Sequence, residues 1–484
     1  MASLPTATVR IDLTGGPTVV STRLGCVIGP VLKGGDIEPF LAGNASQALA
    51  RYGYCELVEY VTQHIQDTGL PIVVVPLPAD APGTLTAQAV TTTSTSDCTV
   101  SMPPEGIGIN CRLQIKVVTG GTVETDEITI AYSLNGGEQW TNVRIGTLSA
   151  YTIPHTNAHV AFSVGALVEG EIVYDGIGTA PMYSASDFQV AVDALAASSH
   201  FVRNWLCIGT QPNSLAIQFI VDQATRYETQ YERYITAKCY VQDHTAAGKE
   251  LASGDWQALV GTAFSGIDGS HRIDIGAGML RRASPIVGQI LRFSVQFADN
   301  IRAFQHDIHI ATWEKDFGPL PGWSIEDSNN NVVEHDERVW PGLLESRFTC
   351  ARTWGNGPRG TYIATSLTRA SEGSILGYTH NAAVANLFQT VCQSSTEMTI
   401  GRSLVLNTDG TASSKSLAAI RDKVEGDLAR ALIEPGLEGQ RASSVSWEPS
   451  PGDKFDTVGA VMHGFGELNL RGTIARIETA VRVR

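Results

Sequence analysis

No apolar run in this chain reaches the ~20 residues that a helix needs to cross a bilayer. No early apolar stretch carries a basic flank and a cleavage-like site. The reading is a protein made and folded in a cytoplasm, without direct membrane insertion. Positive charge is scarce: 34 Lys and Arg stand against 49 Asp and Glu, a formal charge of −15. That argues against nucleic acid as a partner, because such a surface needs clustered Lys and Arg. Enzyme motifs are missing too. No Walker lysine follows a glycine-rich loop, Gly464, Gly466 and Asn469 fail the dinucleotide fingerprint, and no GxSxG elbow occurs. The chain therefore reads as a non-enzyme with no cofactor.

The cysteines lack any CxxC or paired metal spacing. Cys26, Cys55, Cys98, Cys111, Cys207, Cys239, Cys350 and Cys392 are scattered along the chain. They read as buried reduced thiols behaving as small hydrophobes, or as disulfide candidates that pair later, between subunits. The best metal candidate is His306-Asp307-Ile308-His309, whose two histidines would share a helix face but lack a zincin glutamate. Asn329-Asn330-Asn331 and Glu334 to Arg338 form a polar patch that reads as a solvated loop rather than an acid–base site.

What the chain does have is alternation at both ends. Ala7, Val9, Ile11 and Leu13 fall on one face of a strand, with Thr6, Thr8, Arg10 and Asp12 on the other. Near the end, Ala475, Ile477, Val481 and Val483 share a face, with Arg476, Glu478, Arg482 and Arg484 opposite. Period two means a strand with one buried side. Its backbone groups must pair with some sheet. That sheet is either in its own domain or in another subunit, by strand addition.

At 484 residues the chain is long enough for about two to four domains. Residues 46–67 read as one helix capped by Ser46, and Leu70 to Pro76 as a buried parallel strand. From 84 to about 180 the composition turns to Thr, Gly and Val. Ile128 to Ser133, then Asn135-Gly136 and Trp140, signal a hairpin. Helix and strand patterns then alternate: helices at 188–198, 214–231, 255–265 and 285–297, with strands at 205–209 and 234–241. Further on come strands at 348–353 and 360–366, a helix at 374–393 and a clear amphipathic helix at 417–433. Its stripe is Leu417, Ile420, Val424, Leu428 and Leu432. Its polar face carries Arg421, Asp422, Lys423, Glu425, Asp427 and Arg430, a solvated surface or a docking face. Strand patterns at 442–447 and 458–470 lead into the final arm.

The layout resembles the contractile-tail sheath family of myophages and related contractile injection particles. Gly25-Cys26-Val27-Ile28-Gly29-Pro30-Val31-Leu32-Lys33-Gly34 resembles that family's early glycine turn. Helix 46–67 with strand 70–76 resembles the element that follows it. Tyr132 to Trp140 is similar to a hairpin of some members' outer domains, and Gly410-Thr411 with helix 417–433 to the tube-side domain. Many cysteines and an acidic total are departures from it.

The resemblance implies a multidomain α/β and α+β fold. A layered α/β core at 25–83 and 181–345 would carry an inserted antiparallel β-sandwich-like domain at 84–180. A C-terminal tube-side α+β domain at 346–471 would be completed by terminal strand arms, 1–24 and 472–484. Val9, Ile11, Leu13, Ile474, Ile477, Val481 and Val483 would then lie in intersubunit strands, and the polar face of 417–433 would meet the tube. The implied function is a structural subunit that polymerises helically around a tail tube and contracts. Its partners would be copies of itself, tube, baseplate and tail terminator proteins, in a virion assembled in a bacterial host cytoplasm. The alternative is another self-assembling virion or surface-layer structural protein.

Overall fold

The computed structural model describes residues 24–34, 36–210, 213–240, 264, 267, 269–306, 319–325, 346–353, 360–371, 373–397, 404–433, 442–453 and 464–470. A seven-stranded sheet runs in the order Phe40–Ala42, Ile72–Leu77, Gly25–Pro30, Asn204–Cys207, Thr236–Tyr240, Ser270–Gly276, Thr368–Arg369. The five inner strands are parallel, and each outermost strand is antiparallel to its neighbour. Gly25–Pro30, Ile72–Leu77, Asn204–Cys207 and Thr236–Tyr240 are buried along their whole length. A parallel strand with helices on both faces has no water-facing side, so its sequence runs apolar instead of alternating.

The pleat still sorts the side chains. Cys26, Ile28, Val73, Val75 and Cys207 join one core cluster with Phe188, Leu195, Ile217 and Tyr227. Those last residues belong to helices Ala185–Ala197 and Ser214–Tyr231. Val27, Ile72, Val74 and Leu206 face the other way, toward Leu57, Val61, Phe297 and Ile301 of helices Glu56–Thr68 and Val295–His306.

Three local expectations need correction. The helix read over 46–67 is two helices, Ala45–Tyr52 and Glu56–Thr68. Gly53, at φ 75°, stops the first and donates its N–H to the Leu49 carbonyl at 3.0 Å. A positive φ is cheap only for glycine. The cap of the first helix is Asn44, whose Oδ1 accepts from the Ser46 N–H at 2.9 Å, and not Ser46 itself. The helix read over 285–297 is the antiparallel hairpin Met279–Ala283 with Ile290–Ser294, and a helix starts only at Val295. Ser284 turns that hairpin by accepting from the N–H groups of Ile286 and Val287. The helix read over 255–265 falls almost wholly outside the described residues.

Residues 84 to 179 build sheets of their own. One has five antiparallel strands in the order Thr84–Ala87, Ile172–Thr179, Cys111–Thr119, Ile128–Ser133, Thr141–Gly146. Another joins Ala150–Thr152, His159–Phe162 and Cys98–Ser101. The first and last strands of this stretch pair with each other, and Ala81 bridges Met182 just below them. The chain thus leaves the central region and returns to it at neighbouring points.

Candidate functional site

In doubly wound sheets a ligand crevice opens beyond the C-terminal strand ends where the strand order reverses. Here the reversal lies at Gly25–Pro30, flanked by Ile72–Leu77 and Asn204–Cys207. The chain's own segments occupy that place. The Val31 N–H bonds the Leu77 carbonyl at 3.0 Å, and the Ile208 N–H bonds the Ile28 carbonyl at 2.8 Å. Gly209, at φ 75°, lets the Pro30 ring and the Pro181 carbonyl close over the ends. Beside them the Tyr183 and Thr210 hydroxyls bond at 2.6 Å.

A buried ionic cluster lies deeper. Lys238 and Asp274 are register neighbours on adjacent strands, so their side chains share a face. Helix Val295–His306 crosses that face and brings Asp299 against the Lys238 ammonium. Asp274 lies 3.5 Å from the same nitrogen. All three side chains are buried. Asp274 also accepts from Gln296 and Thr349 at 2.6 Å each, from Thr379 at 3.1 Å and from Ser366 at 3.2 Å. Burial pushes the Asp299 carboxyl up from its ordinary range against the pull of Lys238, with the Asp274 charge adding to the rise. Burial disfavours the charged form of Lys238, but Asp299 and then Asp274 outweigh it and raise its pKa above the ordinary lysine value. Sequence reading missed this cluster. Its signal was a charge in mid-run of two buried strands, Ala237-Lys238-Cys239 and Ile273-Asp274-Ile275.

A second feature lies near the C-terminus. Strands Ala442–Pro449 and Gly464–Leu470 form an antiparallel hairpin, with Trp447 opposite Gly466 and Pro449 opposite Gly464. Among the described residues no third strand joins either side. Helices Thr379–Glu397 and Ser414–Leu432 back one face, where Val391, Ile420, Val424, Leu428, Leu432 and Trp447 form a small core. Gly464 and Gly466, which fail as a nucleotide loop, have a packing reason instead. A Cβ on Gly464 would overlap the Trp447 indole, and one on Gly466 the Phe388 ring. Phe465 between them is exposed.

Helix Ser414–Leu432 starts under Ser413, whose Oγ accepts from the Ser416 N–H at 3.3 Å. Its six charged candidates divide. Glu425 accepts from the Trp447 N–H at 3.1 Å, Asp427 from the Ser395 hydroxyl at 2.7 Å, and Lys423 donates to the Ser395 carbonyl at 3.4 Å. These three hold the hairpin and the neighbouring helix. Arg421 pairs with exposed Asp422 at 3.2 Å, and Arg430 reaches Asp427 from an exposed position.

All eight cysteines are free thiols in the chain. Cys26, Cys55, Cys207, Cys239 and Cys350 are buried; Cys98, Cys111 and Cys392 are half-buried. Burial pushes the Cys55, Cys98, Cys111 and Cys392 thiols up to about 12. Val9, Ile11, Leu13, Ile474, Ile477, Val481 and Val483 lie outside the described residues, as do the 329–338 patch and His309. His306 ends its helix. No group of three or more metal-type side chains occurs among the described residues.

No family profile and no curated protein matches this sequence. Solved structures do. A sheath tail protein from Desulfitobacterium hafniense aligns over 95% of this chain and 100% of its own, at 11% identity and a TM-score of 0.42. A sheath tail protein from Listeria innocua aligns over 91% and 94%, at 11% identity and a TM-score of 0.41. A chain of the anti-feeding prophage baseplate in its contracted state aligns over 100% and 99%, at 11% identity and a TM-score of 0.45. This chain is similar, at 11% identity, to solved structures of sheath tail proteins and of a contracted baseplate.

Proposed function

We propose that the chain is a structural subunit of a contractile tail sheath, polymerising helically around a tail tube. The observation that carries this reading is the C-terminal hairpin. Its eight- and seven-residue strands have no further partner among the described residues. An open strand edge is a template for pairing with another chain. Strand-like arms with one apolar face occur at both ends of the sequence. In this reading 1–24 and 472–484 extend the hairpins of neighbouring subunits, with main-chain hydrogen bonds for strength and alternate side chains for register. The division is a core at 25–83 and 181–345, an outer insertion at 84–180 and a tube-side domain at 346–471. Outward-facing Arg421, Asp422 and Arg430 meet the tube. An extended lattice relaxes to a better-packed one, and the arms act as hinges that keep subunits joined while they turn.

Negative-stain electron microscopy of the full chain at high concentration tests this. Hollow helical tubes are expected, and deletion of 472–484 is expected to leave folded monomers. Flat arrays would favour a surface-layer protein, and tubes formed without the C-terminal arm would remove the strand-addition claim.

A further inference from the structure

We infer that Lys238 and Asp299 form an intramolecular isopeptide bond, with Asp274 as the proton acceptor. The reactants are already in contact. The Lys238 ammonium abuts the Asp299 carboxylate, on a strand and a helix that the core holds together. An ammonium and a carboxylate have the composition of an amide plus one water, so no oxidant, activator or co-reactant is required. One amine proton passes to the Asp299 carboxylate. The neutral nitrogen then attacks Cγ, a C–N bond forms and one C–O bond breaks. Asp274, 3.5 Å from the nitrogen, takes the second proton and returns it to the departing hydroxyl, which leaves as water.

Three observations favour the amide over a lasting ion pair. Removing both charges ends the cost of holding an ammonium and a carboxylate away from water. Asp299 Oδ1 is buried with no hydrogen-bond partner, an unusual state for a carboxylate oxygen. Asp274 keeps hydrogen-bond partners other than Lys238, because Gln296, Thr349 and Thr379 donate to it, with Ser366 shared between Asp274 and Asp299. Burial and the Asp274 charge also keep the Asp299 carboxyl disposed to accept a proton. The bond would tie the middle of a central strand to the helix above it, independently of any assembly.

Mass spectrometry of the full chain under denaturing, reducing conditions decides it. The expected mass is one water below the sequence mass. A proteolytic digest should contain one branched peptide joining the segments around Lys238 and Asp299. Lys238→Arg and Asp274→Asn should both appear at full sequence mass, the second as a folded protein by circular dichroism. Wild-type chain at full mass, or water loss without a branched peptide, would overturn the bond. Water loss with the branched peptide in Asp274→Asn would overturn the role of Asp274.

Discussion

The central sheet and the C-terminal hairpin treat their edges in opposite ways. The central sheet ends on strands of three and two residues, Phe40–Ala42 and Thr368–Arg369, each antiparallel to its neighbour. Such short edges give another chain little to pair with. The hairpin has longer strands and, among the described residues, neither is covered. The cores differ as well. The central sheet packs against two large clusters, one of them shared with residues 107–174, and holds the buried Lys238, Asp274 and Asp299 side chains, while the hairpin rests on a small cluster of two helices and Trp447. One chain thus contains a sheet that ends on short antiparallel edges and another whose longer strands, among the described residues, take no third strand.

The largest effect expected on this contrast concerns assembly. Ile477→Pro removes a ladder donor from the middle of the final strand-like run. It should abolish tubes in electron microscopy while leaving the circular dichroism spectrum of the subunit intact. Next in size is Lys238→Met, which strands two buried carboxylates in the central core. A loss of about 3–5 kcal/mol is expected in denaturant unfolding at neutral pH.

Leu428→Ala cuts the small core instead, with an expected cost of about 2–5 kcal/mol. If the two regions are energetically distinct, this variant produces an early partial transition rather than a uniform shift. A single shifted transition would show that they unfold as one unit.

Acid should reveal the central region first. His64 lies beneath Phe304, its Nε2 has no partner, and burial lowers its pKa from 6.5 to about 4. Between those values the unfolded chain binds the proton and the folded chain does not. Stability therefore falls as pH drops from 6.5 toward 4, by roughly 3 kcal/mol once both are passed. His64→Phe should flatten that part of the pH–stability curve. The smallest effect is Gly466→Ala, whose Cβ must displace the Phe388 ring. About 1–3 kcal/mol is expected, confined to the C-terminal transition in the same unfolding measurement.

Much of the layout was legible because local pattern and tertiary role agree. The helix read over 214–231 is Ser214–Tyr231, and the one over 417–433 is Ser414–Leu432. In both, an apolar stripe faces a core and a side-chain cap sets the start. The Asn135-Gly136 turn does join two strands, Ile128–Ser133 and Thr141–Gly146. Where the reading failed, a long-range partner made the choice. Over Ile290–Ser294 the alternation is too short to mark a strand within the helix read at 285–297. The segment is a strand because Met279–Ala283 pairs with it, and because Gln289 and Ile290 bond to Gln139, Asn135 and Leu134 across the boundary.

By itself the sequence determined many of the strands and helices and which of their faces are apolar. It also places a charge inside each of two apolar runs, at Lys238 and Asp274. Those are properties of neighbours along the chain. Only the tertiary structure decided that Lys238, Asp274 and Asp299 meet, since strand register and a crossing helix bring together residues 61 positions apart. It also decided that Gly464 and Gly466 serve aromatic rings rather than a phosphate. Contacts between distant residues depend on how the elements pack, and no local period encodes that.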